Sequence, residues 1–109
     1  MNDFDYLEAI PGSVTIADLS GKIIKMNLKA KSTFSGDLTG QDVLDCHPEP
    51  SRTKLKELLS TQGTNVYTIE KNGKKKIIYQ APWYVADVYS GIIELSLEIP
   101  FEMPHHVRK

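Results

Sequence analysis

The stretch Ser13–Asn27, with the sequence SVTIADLSGKIIKMN, contains two apolar runs that are separated by turn-forming residues. The first run, residues 13–17, and the second run, residues 22–27, each predict a β-strand. The tetrapeptide Asp18–Gly21 predicts a turn between them, so the stretch is expected to form a β-hairpin. The apolar residues of the two strands are Val14, Ile16, Ile23, Ile24 and Met26.

A short helix is predicted before this hairpin, over residues 3–10, with Asn2 or Asp3 as its cap. Its apolar residues Phe4, Leu7 and Ile10 have helical spacing, and the Pro11–Gly12 dipeptide ends it.

Three helical segments are predicted after the hairpin. Residues 28–34 are weakly helical, residues 41–46 could form one turn, and residues 51–62 give the clearest helix. Ser51 is the expected N-cap of the last helix, and Gly63 is expected to end it. Its apolar stripe consists of Leu55, Leu58 and Leu59.

The last third of the chain predicts three more strands, over residues 64–71, 74–83 and 89–99, followed by an irregular tail over residues 101–109. The turn dipeptides Asn72–Gly73 and Ala86–Asp87 separate the strands. Five strands, with the main helices between the second and the third, predict an α+β fold. We expect one five-stranded antiparallel sheet with helices packed on one face, in a single domain over residues 1–109.

Composition limits the classes of function. The chain has 109 residues, a net charge of -1 and one cysteine. The balanced charge argues against a nucleic-acid partner, and the absence of a long apolar run argues against a membrane span. A single cysteine cannot form an intrachain disulfide, which favours a cytoplasmic location.

Five segments together resemble a PAS domain. Ala9–Asp18 (AIPGSVTIAD) is similar to the opening strand, and Ser20–Asn27 (SGKIIKMN) is similar to the second strand and the asparagine that often follows it. Leu38–Asp45 (LTGQDVLD) resembles the segment before the central helices. His47–Pro48 is a frequent PAS dipeptide, and Gly91–Leu95 (GIIEL) resembles the last strand. Their order is most similar to small stand-alone bacterial PAS proteins and to PAS domains attached to haemerythrin-like domains.

The resemblance implies a sensory or signalling module that binds a small ligand, a partner protein, or both. It implies a ligand pocket between the sheet and the central helices, and dimerisation through the outer sheet face and the first helix. The pocket candidates are Met26, Phe34, Val43, Leu55, Leu58, Leu59 and Tyr79. The interface candidates are Phe4, Leu7, Trp83 and Tyr84. A homodimer or a partner signalling protein is therefore expected.

The cofactor is left unidentified, and the sequence argues against flavin and haem. In the light-sensing PAS branch a cysteine follows the glycine by three positions, whereas here Val43 follows Gly40 and Cys46 comes later. In gas-sensing PAS domains the iron ligand usually lies on the long central helix, where residues 51–62 contain no histidine. His47 at a helix boundary is expected to serve the turn instead.

Other chemical sites were weighed against structural roles. Cys46, His47, His105 and His106 form two distant pairs, which is poor spacing for zinc. Cys46 is expected to be a small core residue, with a redox-sensing thiol of lowered pKa as the alternative. No nucleophile elbow or phosphate loop is present, so an enzyme is not expected.

Two clusters in the last third admit both structural and functional interpretations. The four lysines Lys71, Lys74, Lys75 and Lys76 surround the Asn72–Gly73 turn and favour a solvated hairpin. The aromatic residues Tyr79, Trp83, Tyr84 and Tyr89 could pack on the sheet, line a pocket or form an interface. The leading prediction is a ligand-binding sensory module, and the alternative is a ligand-free dimerisation or adaptor module.

Overall fold

The computed structural model describes residues 5–109. Each predicted helix and strand is found, with ends that differ by a few residues. The elements are α1 (Tyr6–Ala9), β1 (Ser13–Asp18), β2 (Ile23–Met26), α2 (Leu28–Thr33), a 3₁₀ helix (Val43–Cys46), α3 (Ser51–Thr61), β3 (Asn65–Lys71), β4 (Lys74–Val85) and β5 (Val88–Ile99).

The five strands form one antiparallel sheet in the order β2-β1-β5-β4-β3. The β1–β2 hairpin and the β3–β4–β5 meander are joined by the pairing of β1 with β5. In this pairing Ser13 lies opposite Ser96. The predicted α+β class, with a five-stranded antiparallel sheet, is confirmed. The Asn72–Gly73 turn forms as predicted, with positive φ angles of 54° and 75°.

Helices α2 and α3 and the 3₁₀ helix pack on one face of the sheet, which we call the inner face. Leu55 and Leu58 of α3 share a buried cluster with Ala17 of β1 and Ile92 of β5. The remaining buried members of this core are Ile23, Met26, Ala30 and Val43. The opposite side of the sheet is called the outer face. Within residues 5–109, no helix is both long enough and apolar enough to cross a membrane.

Asn27 connects α1, β1 and α2. Its Oδ1 accepts hydrogen bonds from the backbone N–H groups of Val14 and Ala30, each at 3.0 Å. Its Nδ2 donates to the carbonyl oxygens of Leu7 and Gly12, each at 2.8 Å. The fully buried side chain therefore caps α2 and fixes the segment between α1 and β1.

The first helix differs from its prediction. Asp5 is the N-cap of α1, and its carboxylate accepts from the Leu7 N–H at 3.0 Å. The predicted caps Asn2 and Asp3 lie outside the described residues. The helix ends at Ala9 because Ile10 is already extended, with a ψ of 148°.

The ends of α3 also differ from the prediction. Ser51 is the first helical residue rather than the N-cap, and Pro50 at the cap position contributes no side-chain hydrogen bond. Glu49 serves the first turn instead, because its carboxylate accepts from both the N–H and the hydroxyl of Thr53, at 2.8 and 2.7 Å. At the other end Gln62 is the C-cap, with a left-handed φ of 56°, one residue before the Gly63 that was expected to end the helix.

Gly91 lies on β5 between Asp18 of β1 and Trp83 of β4. Its φ is +150°, and a Cβ there would lie 2.0 Å from the carbonyl oxygen of Ala17. The same oxygen accepts a hydrogen bond from Nε1 of Trp83 at 2.9 Å. A side chain at this position would therefore separate strands that have to stay in contact.

Candidate functional site

A row of polar residues crosses the inner face of the sheet. Thr15 lies opposite Glu94, Glu94 lies opposite Gln80, and Gln80 lies opposite Asn65. Residues that face each other in antiparallel strands project to the same side, and Thr15 is two residues from the core residue Ala17. The polar row therefore runs beneath the helices, on four adjacent strands.

Hydrogen bonds connect three members of the row. Asn65 Nδ2 donates to Gln80 Oε1 at 3.0 Å, and Gln80 Nε2 donates to Glu94 Oε2 at 2.6 Å. The hydroxyl of Thr15 is buried and has no hydrogen-bond partner among residues 5–109. An unpartnered buried hydroxyl is costly, so this end of the row has unused hydrogen-bonding capacity.

His47 brings a second charged group to the row from the helical layer. Its Nε2 lies 3.6 Å from Oε2 of Glu94. Its Nδ1 lies 2.9 Å from the carbonyl oxygen of Val43 and therefore acts as the donor in that contact. The histidine follows the 3₁₀ helix directly, so this ion pair connects the helices to β5.

The pKa values of the two groups shift in opposite directions. The carboxylate of Glu94 raises the pKa of His47 above its ordinary value, against the opposing effect of burial. Burial alone would raise the pKa of Glu94, but the interactions with His47 and Gln80 hold it below its ordinary value. Each group therefore favours the charged form of the other.

Two cavities lie along the inner face beside this row, and we call them together the inner cleft. The first, of about 180 Å³, is lined by Pro50, Ser51, Lys54, Asn65, Tyr67 and Gln80. The second, of about 170 Å³, is lined by Ser13, Thr33, Phe34, Ile69, Lys71, Lys76, Ile78, Glu94 and Ser96. Gln80 lines one cavity and Glu94 lines the other, so their hydrogen bond lies between the two.

Phe34 is the one predicted pocket residue that lines the inner cleft. Met26, Val43, Leu55 and Leu58 are buried in the core, and Leu59 packs against it. The apolar stripe of α3 thus packs directly on the sheet. The side chains that line the inner cleft come mostly from β3, β4 and β5.

Tyr79 lies on the outer face, because it is adjacent in sequence to Gln80 on a regular strand. It is 41% exposed and faces Leu95 and Val66 on the neighbouring strands. Tyr79 shares strand parity with Trp83, so the structure groups it with the outer-face residues and not with the pocket residues.

The interface candidates are placed on different surfaces. Trp83 lies on the outer face, but the register shifts between Trp83 and Tyr84. Tyr84 instead contacts the C-terminal end of α3, where its hydroxyl lies 3.3 Å from Gln62 Oε1. Leu7 of α1 is partly exposed, and Phe4 lies outside the described residues.

The lowered pKa considered for the Cys46 thiol is wrong. Burial and the carboxylates of Asp45 and Asp42 raise the pKa of Cys46. The residue ends the 3₁₀ helix, and its Sγ contacts the carbonyl oxygen of Asp42 at 3.6 Å. The thiol therefore lies at the C-terminal end of a short helix beside two acids, which disfavours the thiolate.

The hairpin lysines divide into two pairs. Lys74 forms an exposed ion pair with Glu98 at 3.6 Å, and Lys75 donates to the carbonyl oxygen of Phe101 at 3.2 Å. Lys71 and Lys76 line the inner cleft and have no ion-pair partner among the described residues. No group of three or more metal-ligating side chains occurs within residues 5–109.

Sequence reasoning missed the whole polar row, namely Thr15, Asn65, Gln80 and Glu94. One signal was available for Glu94, because β5 alternates apolar residues at 93, 95, 97 and 99 with polar residues at 94, 96 and 98. That pattern places a carboxylate on the face opposite the apolar one. Which face the helices cover is decided by the core cluster and not by this alternation.

Comparison with known proteins gives the fold. No model of a protein family matches the sequence, and no curated protein matches it. The PAS domain of BvgS from Bordetella pertussis is similar with a TM-score of 0.65 and 17% identity, over 87% of this chain and 82% of that chain. A sensory box sensor histidine kinase from Vibrio cholerae is similar with a TM-score of 0.66 and 16% identity, over 89% and 88%.

A third similar structure is the VqmA dimer of Vibrio cholerae, with a TM-score of 0.64 and 13% identity, over 94% of this chain and 54% of that chain. Identities this low define the fold alone. The chain has the PAS fold, as the sequence motifs predicted. The narrower resemblance, to stand-alone PAS proteins and to PAS domains attached to haemerythrin-like domains, stays a prediction.

Proposed function

We propose that this chain is a sensory module that binds a small molecule in the inner cleft. The observation that carries the proposal is Glu94, a largely buried carboxylate that lines a cavity and pairs with His47. Pockets with apolar walls and a few fixed polar groups are typical ligand sites. The similarity to a sensor histidine kinase of Vibrio cholerae supports a sensory role.

The mechanism we propose is a shift between two packings of the helical layer on the sheet. Glu94 belongs to β5, whereas His47 belongs to the segment between the 3₁₀ helix and α3. A ligand that interacts with Glu94 would alter its pairing with His47. It would therefore favour one packing over the other by the difference in its affinity for the two. The proposal includes no catalytic step.

The test is a small-molecule screen on the isotope-labelled full chain, read by amide chemical shifts. The library contains acidic, basic and neutral compounds of fewer than about fifteen heavy atoms, in keeping with the small cavities. Hits should shift the signals of Glu94, Gln80 and Ile78 in a saturable manner. A library without any such hit would refute the proposal.

A pair of variants controls for nonspecific binding. Ser96→Leu places a larger side chain in the second cavity and should weaken the hits. Thr68→Leu adds the same side chain on exposed β3, opposite Ile77 on the outer face, and should leave them unchanged. Equal effects of the two variants would contradict binding in the cleft.

The second candidate function is association through the outer face, with or without a ligand. Three apolar side chains on that face are substantially exposed, namely Val66 at 49%, Tyr79 at 41% and Leu97 at 37%. The expected partner is a second copy or another signalling protein. Sedimentation of the wild type and of Leu97→Glu tests this, because a dimer through this face should dissociate in the variant. A concentration-independent monomer in both would refute self-association.

Composition alone supports a cytoplasmic location and the lack of nucleic-acid and membrane partners. These points stay predictions, as does a bacterial origin.

A further inference from the structure

We infer that the ligand of the inner cleft is a small organic acid that also carries a hydrogen-bond donor, such as a hydroxy acid. The inference rests on the proposed function, because it assigns a chemical class to the ligand of that same site. It is carried by the two ends of the second cavity, which require opposite groups on the ligand.

The inner end of the cavity favours a hydrogen-bond donor on the ligand. Both protein contacts of the Glu94 carboxylate involve the same oxygen, Oε2, which meets Gln80 Nε2 at 2.6 Å and His47 Nε2 at 3.6 Å. The other oxygen, Oε1, has no hydrogen-bond donor within residues 5–109. Oε1 is not a fully buried atom, so a hydroxyl or amine on a ligand can donate a hydrogen bond to it.

The mouth of the cavity requires an anion. Lys71 is the last residue of β3, Lys76 is the third residue of β4, and both line the same cavity as Glu94. The two other lysines of this hairpin have protein partners, Glu98 and the Phe101 carbonyl, whereas Lys71 and Lys76 have none among the described residues. Two cations that line one cavity favour a carboxylate or a similar anion there.

The walls between these ends are apolar and the space is small. Phe34, Ile69 and Ile78 line the cavity between the acidic and the basic groups. Its volume of about 170 Å³ is below the roughly 300 Å³ at the lower end of typical ligand pockets. The carbon skeleton of the ligand is therefore short and hydrophobic.

A second signature of the site is the distribution of charge. Glu94 is compensated on its protein side by His47, so the cleft does not need a cationic ligand to neutralise it. Lys71 and Lys76 lack such compensation. The cavity therefore favours a ligand with a negatively charged group near the two lysines and a neutral hydrogen-bond donor near Glu94.

Three matched probes test the inference by amide chemical-shift titration of the labelled full chain. They are 2-hydroxy-4-methylpentanoate, 4-methylpentanoate without the hydroxyl, and 4-methylpentane-1,2-diol without the carboxylate. We expect the hydroxy acid to bind tightest, and each loss of a group to weaken binding by about tenfold, as for one hydrogen bond to a charged group. A diol or a plain acid that binds as tightly as the hydroxy acid would overturn the inference.

Charge variants test the mouth separately. The double variant Lys71→Gln/Lys76→Gln should weaken both acids by about tenfold or more and leave the diol unchanged. The control Lys56→Gln/Lys75→Gln removes the same net charge from side chains that do not line the cleft, and it should have no effect. Equal effects of the two double variants would contradict a specific anion site.

Glu94→Gln should remove the advantage of the hydroxyl group. If this variant is unfolded, the lysine variants still decide the question, because they leave the Glu94–His47 pair intact. Library hits in the cleft that are neutral or basic, with no binding of the three probes, would refute the ligand class and leave the proposed function standing. A screen without any hit in the cleft would refute both.

Discussion

The inner and outer faces of the sheet are built from alternate residues of the same strands, yet they differ in chemistry. On β4 the inner face presents Ile78 and Gln80, both buried, while the outer face presents Tyr79, which is partly exposed. Polar groups on the inner face are connected to each other and to a histidine from the helical layer. The outer face carries a stretch of exposed apolar residues. The comparison shows that the more buried face is not the less polar one, because the inner face holds the charged pair of Glu94 and His47.

The largest effect is expected at Asn27, which connects α1, β1 and α2 beside the sheet. Asn27→Ala would leave two backbone N–H groups and two carbonyl oxygens without their partners. We expect a loss of about 4 kcal/mol or more in the free energy of unfolding, at about 1–3 kcal/mol for each unsatisfied buried group. Urea denaturation followed by tryptophan fluorescence measures it.

Asn27→Ser is the control for this prediction, because its hydroxyl oxygen can still accept the cap hydrogen bond at the start of α2 without adding a buried charge. Its loss of stability should be smaller than that of Asn27→Ala. A stability of Asn27→Ala within about 1 kcal/mol of the wild type would show that the four bonds do not hold α1, β1 and α2 together.

The next largest effect is expected at Gly91, where the neighbouring strands leave no room for a side chain. Gly91→Ala would combine a strained φ of +150° with a collision at the Ala17 carbonyl. We expect a loss of about 2–4 kcal/mol in the free energy of unfolding. Gly36→Ala is a matched control, because Gly36 has a φ of +148° and nothing within 4 Å of an added Cβ. If both variants lose the same stability, strain alone explains the effect.

A smaller, pH-dependent effect is expected from the ion pair of the inner face. The pKa of Glu94 is lowered, so its contribution to stability is present above its unfolded pKa near 4.5 and is lost as the pH falls through the folded pKa. The pKa of His47 is raised, so its contribution is present below its unfolded pKa near 6.5 and is lost as the pH rises through the folded pKa. The wild type should therefore exceed His47→Gln in stability most clearly between these two values.

Urea midpoints at pH 4, 5.5 and 8 check this prediction, with an expected difference of about 1–3 kcal/mol at the middle pH. The exposed pair Lys74–Glu98 gives the comparison, because Lys74→Gln should change stability by about 0.5 kcal/mol or less at any of these pH values. A flat difference between the wild type and His47→Gln across the range would argue against a charged pair.

The smallest effect on stability is expected on the outer face. Tyr79→Thr keeps strand propensity and removes a ring that is already 41% exposed, so we expect a loss of about 1 kcal/mol. Ile78→Ala, at the neighbouring inner position, should lose about 2–4 kcal/mol. The two variants measured side by side by thermal unfolding sharpen the contrast. A larger loss for Tyr79→Thr would mean that the outer face is covered, for example in a dimer.

Much of the fold was predictable because its signals are local. The Asn72–Gly73 turn, the apolar runs of the five strands and the leucine stripe of α3 each specify one element. The cap positions were less predictable. Ser51 was expected to cap α3, but Glu49 bonds to its first turn. Asn2 or Asp3 was expected to cap α1, but Asp5 does so. Several nearby side chains can reach the same N–H groups, so the sequence alone does not select one.

The sequence by itself determined the secondary structure, the α+β class and the PAS-type order of motifs, since these depend on spacing and on short-range conformational preferences. Only the tertiary structure decided that Thr15, Glu94, Gln80 and Asn65 form one row and that His47 reaches it. These residues are up to 79 positions apart, from Thr15 to Glu94. Their meeting depends on the pairing of β1 with β5 and on which face α3 covers, and both are set by packing of the whole chain.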